Sequence, residues 1–224
     1  MTYTTRTKFT EQLNEVRDLL IRLAEKTTAD IRAIDLGAKG DMGAAKGVIG
    51  GRKEERRLSY SIEQTCFDIM LLQQPLIGDD FRFITSSFRV VSDLSHVDGM
   101  TRDAMFLLED VPAKKSEHLA GEFTELADLT AQMLVDSVKA FLEKDVIGAS
   151  AVIARDDRVN ELYAICEQKL VQLIRDETVK PKYLPELLMV AKYFERIGDS
   201  SKAIARWAIF RVTGEHNDED DKTK

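Results

Sequence analysis

Proline stands at only four positions in this chain, 75, 112, 181 and 185, and all four fall between or at the edges of stretches whose apolar residues recur three and four apart. That pairing of features restricts the fold to long helices, because a proline within a helix removes a hydrogen bond and clashes with the preceding turn. The stretch Val159, Leu162, Cys166, Leu170 and Leu173 shows the pattern, with separations of 3, 4, 4 and 3. Such a stripe is the face a helix presents to a bundle. Leu13, Val16, Leu20 and Leu23 form another. No run alternates apolar and polar residues between turn signals, so β structure has no support. The expected fold class is all-α.

Six helices are predicted: Phe9 to Ile34, Ala45 to Leu72, Gly78 to Leu108, Ser116 to Glu143, Ile147 to Asp176 and Pro185 to Val212. A glycine-rich connection, Gly37 to Gly43, separates the first two, and Pro75, Pro112, Pro181 and Gly214 mark later ends. These are ordinary punctuation residues for helices.

The 224 residues give enough length for a sizeable core, and a 44% hydrophobic content with 32% charged residues fits a helical protein in water. No apolar run approaches the roughly 20 residues needed to span a bilayer. The amino-terminal residues lack the apolar core of a signal peptide, so a cytoplasmic location is expected. The net charge of −7 argues against broad nucleic-acid binding, which needs a basic face. Two cysteines, Cys66 and Cys166, make neither a metal-ligand spacing nor a disulfide framework. Residues 215–224 are expected to be a solvated, disordered acidic tail.

The chain also repeats itself. Phe9-Thr10-Glu11-Gln12-Leu13 resembles Phe123-Thr124-Glu125-Leu126, and Leu58 to Glu63 resembles Leu162 to Glu167. Asp93 to Gly99 aligns with Tyr193 to Asp199. Residues 1–112 and 113–214 are therefore expected to form two similar three-helix bundles related by pseudo-twofold symmetry.

The acids of the second half carry the candidate chemistry. Asp156 and Asn160 are four apart, with Glu167 seven further on, and Glu195 and Asp199 are four apart. Four residues advance about one helical turn, so each pair shares a face. At about 100° per residue, Asp156, Asn160 and Glu167 fall within about 40° of one another. They lie roughly a quarter turn from the apolar centre, which predicts that they flank the core. Clustered carboxylate and amide oxygens are hard ligands for a cation. The same spacing also suits a solvated acidic face paired with Arg155, Arg158, Arg196 or Lys202.

Phe194-Glu195-Arg196-Ile197-Gly198-Asp199, with the following residues to Ala205, resembles the signature of the PhoU family of phosphate-signalling accessory proteins. Leu71 to Pro75, followed by Asp80 to Ile84, and Asp156 to Leu162 are similar to two further stretches of that family, and the resemblance runs from about Phe9 to Gly214. It implies two three-helix bundles and a cytoplasmic protein that catalyses no reaction. It also implies an adaptor that restrains phosphate-starvation signalling by binding the ATPase subunit of a phosphate transporter and a membrane sensor histidine kinase. Attachment to the membrane would run through those partners, and a homodimer is implied.

Some members hold multinuclear iron or zinc clusters. Carried over by position, the ligands here would be Asp156, Asn160, Glu195 and Asp199, with Glu167 as a weaker fifth. Ala203 stands where the family usually has Asn. In the first repeat the ligand positions fall on Arg52, Arg56, Ser95 and Gly99, with Glu63 alone retained. One cluster at most is expected, in the second half. Arg52 and Arg56 are expected to pair with Asp98 or Asp103.

Weaker features remain. Asp93 and His96 have the i,i+3 spacing of di-iron bundle sites, which need that pairing twice; a surface histidine is expected instead. Gly37, Gly40 and Gly43 lack the Lys-Ser/Thr ending of a phosphate loop. Phe81, Phe83 and Phe88 are read as core rather than docking surface. Against the adaptor stands an alternative, a carboxylate-bridged metalloenzyme on a helical bundle, and beside it a purely structural bundle.

Overall fold

The computed structural model describes residues 2–73, 75–176 and 181–215. Its long helices are α1 (Thr2–Ala38), α3 (Arg52–Leu72), α4 (Gly78–Glu109), α6 (Ala120–Glu143), α7 (Val146–Arg175) and α8 (Leu184–Thr213). Two shorter ones, α2 (Met42–Gly50) and α5 (Ala113–Ser116), lie between them. Among the described residues there is no strand, and no helix is long and apolar enough to cross a membrane. The expected acidic tail lies, beyond Glu215, outside the described residues.

Helices α1, α3 and α4 pack together as one three-helix bundle, and α6, α7 and α8 as another. The seam between them is made by α4 against α8 and α1 against α6. The predicted stripes supply the contact surfaces. Val16, Leu20 and Leu23 of α1 are buried, as are Val159, Leu162, Cys166 and Leu170 of α7. A single apolar cluster runs through both bundles, so the repeats share one core. The two pseudo-symmetric bundles expected from the repeat are present.

Two elements differ from the sequence reading. The second predicted helix is broken, ending at Gly50 and restarting at Arg52. The Gly51 N–H is shared between the Gly47 and Val48 carbonyls, each at 3.1 Å. A side chain on Gly51 would place Cβ 3.0 Å from Lys26 Nζ, so this glycine lets the lysine of α1 reach inward. The fourth predicted helix begins with α5 and a short 3₁₀ turn before α6. There the Ser116 hydroxyl donates to the Ala38 and Ala113 carbonyls, holding the end of α1 and diverting the chain from a continuous helix.

Arg211 anchors the seam at its other end. It is 1% exposed, the largest fully buried side chain among the described residues. Its Nε and Nη2 bond the two Asp79 carboxylate oxygens at 3.0 and 3.2 Å. Its Nη1 donates to the Phe141 carbonyl at 2.7 Å. The guanidinium lies 4.4 Å from the Phe83 ring centre and 5.5 Å from that of Phe141. One side chain therefore ties the start of α4 to the ends of α6 and α8. Helix dipoles favour the arrangement, since a carboxylate sits at a helix start and a cation at two helix ends. Burial raises the Asp79 pKa, but hydrogen bonds from Arg211 and Lys144 outweigh this and hold it below the ordinary aspartate value.

Replacing Arg211 with Met should lower the free energy of unfolding by about 3 kcal/mol, because Asp79 and the end carbonyls of α6 lose their shared cation. Urea denaturation reads this as an earlier midpoint. Arg211→Lys should recover only part of the loss, because an ammonium cannot make the two-pronged contact.

Candidate functional site

The acid motifs meet where α7 crosses α8. Gly198 determines how they meet. A Cβ at that position would lie 3.1 Å from Asp156 Oδ1 and 3.2 Å from Val159 Cγ1, so the absent side chain leaves room for the Asp156 carboxylate. Asp156 is 3% exposed. This corrects the expectation that the acids of α7 flank the core: Asp156 is inside, while Asn160 and Glu167 are exposed. Helical periodicity places a residue on its own helix, and a neighbour's glycine decides how deep it sits.

A buried carboxylate needs a counter-charge. Lys202, one turn beyond Gly198 on α8, supplies it. Its Nζ bonds Asp156 Oδ2 and lies 3.1 Å from Asp199 Oδ1. Burial pulls the Lys202 pKa down, but the hydrogen bond and charge of Asp156, joined by Asp199, outweigh it and raise it above the ordinary lysine value. Asp156 Oδ1 has no hydrogen-bond partner. The Asn160 amide approaches Oδ2 only at 3.5 Å. Glu195, a turn before Asp199, is claimed by Lys192 at 2.7 Å, and Lys192 also lies 5.0 Å from the Tyr163 ring centre on α7.

The structure thus brings Asp156, Asn160 and Asp199 to one place, around an ammonium. Glu195 is engaged by a second lysine, and Glu167 stands apart on the exposed face. Among the described residues no three His, Cys, Asp or Glu side chains converge closely enough to hold a metal ion. The donor set does not fit a multinuclear cluster as arranged, because lysines already engage Asp156, Glu195 and Asp199, although Asp156 Oδ1 and Glu195 Oε2 are left without a hydrogen-bond partner. Those lysines were visible in the sequence, Lys192 three before Glu195 and Lys202 three after Asp199. A same-face cation at i±3 is the signal that the acids are already paired.

The corresponding crossing of α3 and α4 is filled differently. Asp98 is fully buried and pairs with Lys26 of α1, at 2.9 Å, and with Arg102. The expected pairing of Asp98 with Arg52 or Arg56 is not what forms; both arginines are exposed. Glu55, also buried, accepts from the Ser59 hydroxyl at 3.0 Å and from that of Ser95 at 2.7 Å. Ser95 thus completes an internal network at a position where the resemblance would put a ligand.

Other candidates resolve simply. His96 is exposed, 3.4 Å from Arg196 Nη2. Phe83 is core, Phe88 is partly buried against it, and Phe81 is 46% exposed, so the three aromatics divide between core and surface. Cys66 and Cys166 are buried free thiols, each pushed up to about 12 by burial, which leaves them without reactive thiolate at neutral pH.

Asp93 lies half-buried on α4, and burial raises its pKa to about 6 against the attraction of Arg89.

Comparisons with known proteins agree with this architecture. Residues 123–208 match the PhoU domain. The chain is 27% identical over 220 residues to a phosphate-specific transport system accessory protein PhoU homolog of Clostridium acetobutylicum, covering 97% of this chain and 100% of that one. It is 29% identical over 213 residues to a homolog of the same name from Aquifex aeolicus, covering 93% and 94%. The crystal structure of PhoU from Pseudomonas aeruginosa superposes with a TM-score of 0.82 at 21% identity, covering 92% of this chain and 100% of that one. PhoU from Streptococcus pneumoniae superposes with a TM-score of 0.79 at 19% identity, covering 96% and 99%.

The raised pKa of Asp93 has a consequence for stability. The folded value of about 6 exceeds the roughly 3.9 of an unfolded aspartate, so the folded chain binds this proton more tightly. The resulting stabilisation is complete below about pH 4 and is lost as the pH rises through 6. Asp93→Asn should therefore stabilise the protein at pH 8 by on the order of 1 kcal/mol, after allowance for partial exposure, with the difference vanishing near pH 4. Denaturation curves at the two pH values check this.

Proposed function

We propose, on the premise that the chain belongs to the PhoU family, that it is an accessory regulator of phosphate transport working by binding other proteins. The observation that carries this is similarity along nearly the whole chain to relatives named as transport-system accessory proteins. In the finer reading it is a cytoplasmic adaptor that restrains phosphate-starvation signalling, contacting the ATPase subunit of the transporter and a sensor histidine kinase.

The surface supports a binding role. Apolar side chains concentrate where α3 turns into α4: Leu71 is 73% exposed, Ile77 72% and Phe67 52%. Met70, Pro75, Leu76 and Phe81 line a shallow cleft beside them, and the Phe67 ring lies 4.9 Å from that of Phe88, tilted at 54°. The equivalent end of the second bundle carries Val171 and Arg175 where Phe67 and Leu71 stand in the first. The exposed aromatic rings and adjoining cleft of the first bundle suit a dedicated contact, and we assign it to the ATPase subunit; Val171 and Ile174 are also exposed at the matching end of the second bundle. A carboxylate-bridged enzyme gains nothing from this geometry, because lysines pair with the acids it would need.

Purified chain should capture the ATPase subunit of the phosphate transporter from the same organism. A Leu71→Glu, Phe81→Glu double variant should bind at least about tenfold more weakly with an unchanged melting temperature, as expected for removal of exposed hot-spot side chains. Failure of the unaltered chain to bind either the ATPase subunit or the sensor kinase would overturn the adaptor reading.

A further inference from the structure

The same register relates α4 to α8 throughout: Ser95 corresponds to Glu195 and Gly99 to Asp199. Two further correspondences follow. Asp98 corresponds to Gly198, and Arg102 to Lys202. We propose that this chain supplies its own cations at both helix crossings, Lys202 in the second bundle and Arg102 with Lys26 in the first, and works without a resident metal. These ammonium and guanidinium groups stand where a cluster would otherwise neutralise the acids.

The two crossings reach one result by different residues. In the second bundle the buried carboxylate comes from α7, as Asp156, and occupies space that Gly198 leaves free. In the first bundle the position matching Gly198 carries the buried carboxylate itself, Asp98. The position matching Asp156 is then Arg52, which is exposed. The acid has moved from one helix to the other. The cation has not moved: it sits four residues after position 98 or 198, one turn along the same face. At the second crossing Asp156, Glu195 and Asp199 meet Lys192 and Lys202; at the first, Asp30 and Asp98 meet Lys26 and Arg102, with Glu55 and Asp103 also attracting Arg102 and Arg52 repelling it. A cation recurs at the matching position of the two repeats, Lys202 in one and Arg102 in the other. Such recurrence is what a structural counter-cation predicts.

A metal would have to displace these groups. A divalent ion coordinated by Asp156 and Asp199 would sit beside the ammonium bonded to both, and like charges that close repel strongly inside a protein. In the first bundle the buried Glu55 oxygen is filled by two serine hydroxyls, donors that suit a carboxylate with no ion on it.

The test compares the unaltered chain with Lys202→Met and Lys202→Arg, each stripped with chelator and then titrated separately with Zn²⁺, Fe²⁺ and Mn²⁺. Bound metal is measured after gel filtration, and the melting temperature is followed throughout. The unaltered chain and Lys202→Arg should retain no stoichiometric metal and keep the same melting temperature with or without it. Lys202→Met should melt about 5–10 °C lower in chelator, having lost the partner of a buried acid. It should recover on binding a divalent ion through the freed carboxylates. Should Lys202→Met fail to fold, a metal-free unaltered chain together with a folded Lys202→Arg still supports the proposal, because the requirement is then for a cation as such.

Stoichiometric metal on the unaltered chain, abolished by Asp156→Asn with Asp199→Asn, would overturn it. So would a folded Lys202→Met that takes up no metal, since the acids would then be no ligand set even when freed. Capture of the ATPase subunit by the chelator-treated chain, measured in parallel, keeps these outcomes separate from the accessory role.

Discussion

The guanidinium of Arg211 is the contact on which the arrangement of the two bundles most depends. It is buried, yet it makes four hydrogen bonds, two to the oxygens of Asp79 and two to the carbonyls that end α6, and the rings of Phe83 and Phe141 lie against it. A buried charge is tolerated only on such terms. Because its partners come from α4, α6 and α8, the contact fixes the meeting point of helices from both repeats. Nearby groups reinforce it. Arg82 donates to the Arg211 carbonyl at 2.7 Å, Arg17 of α1 to that of Leu142 at 3.0 Å, and Lys144 pairs with Asp79 at 2.7 Å. The helix termini at this end of the seam are thereby satisfied by side chains.

The two crossings, α3 with α4 and α7 with α8, show what repeat symmetry preserves. The backbone is repeated, but the residues at the crossings are not. Glu195 and Ser95 occupy matching positions, the first drawn to Lys192 and the second to Glu55. Conserving a backbone pairing does not conserve the chemistry placed on it. What both halves keep is a cation against the buried aspartate, Lys202 on Asp156 and Lys26 with Arg102 on Asp98, and a low-dielectric interior makes that pairing necessary. The surfaces differ in residue type, with exposed Phe67 and Leu71 in one bundle and exposed Val171 and Ile174 beside Arg175 in the other.

Much of the fold was legible because it rests on period and punctuation. The stripes Val16-Leu20-Leu23 and Val159-Leu162-Cys166-Leu170 are buried as the spacing requires, α4 starts at Gly78 and stops three residues before Pro112, and α8 starts and stops within one residue of Pro185 and Gly214. The break at Gly51 was not legible, since a glycine within a helical pattern is tolerated as often as it interrupts. What decides there is Lys26 of another helix pressing close. The candidate site was legible in part: Asp156, Asn160 and Asp199 do come together. Their partners were in plain view as lysines three residues away from Glu195 and Asp199, but only the crossing of α7 and α8 shows Lys202 joined to Asp156, 46 residues distant.

The sequence by itself determined the helices, their order, the twofold repetition and which acids share a face, because each of these follows from local spacing along one helix. Only the tertiary structure decided that Asp156 lies inside, that Arg102 and Lys202 play matching parts, and that one arginine joins three helix ends. Those outcomes depend on distances between residues remote in the chain, and on the absence of a side chain at Gly198. No periodicity encodes them; they follow from which groups share one dry space and must neutralise each other there.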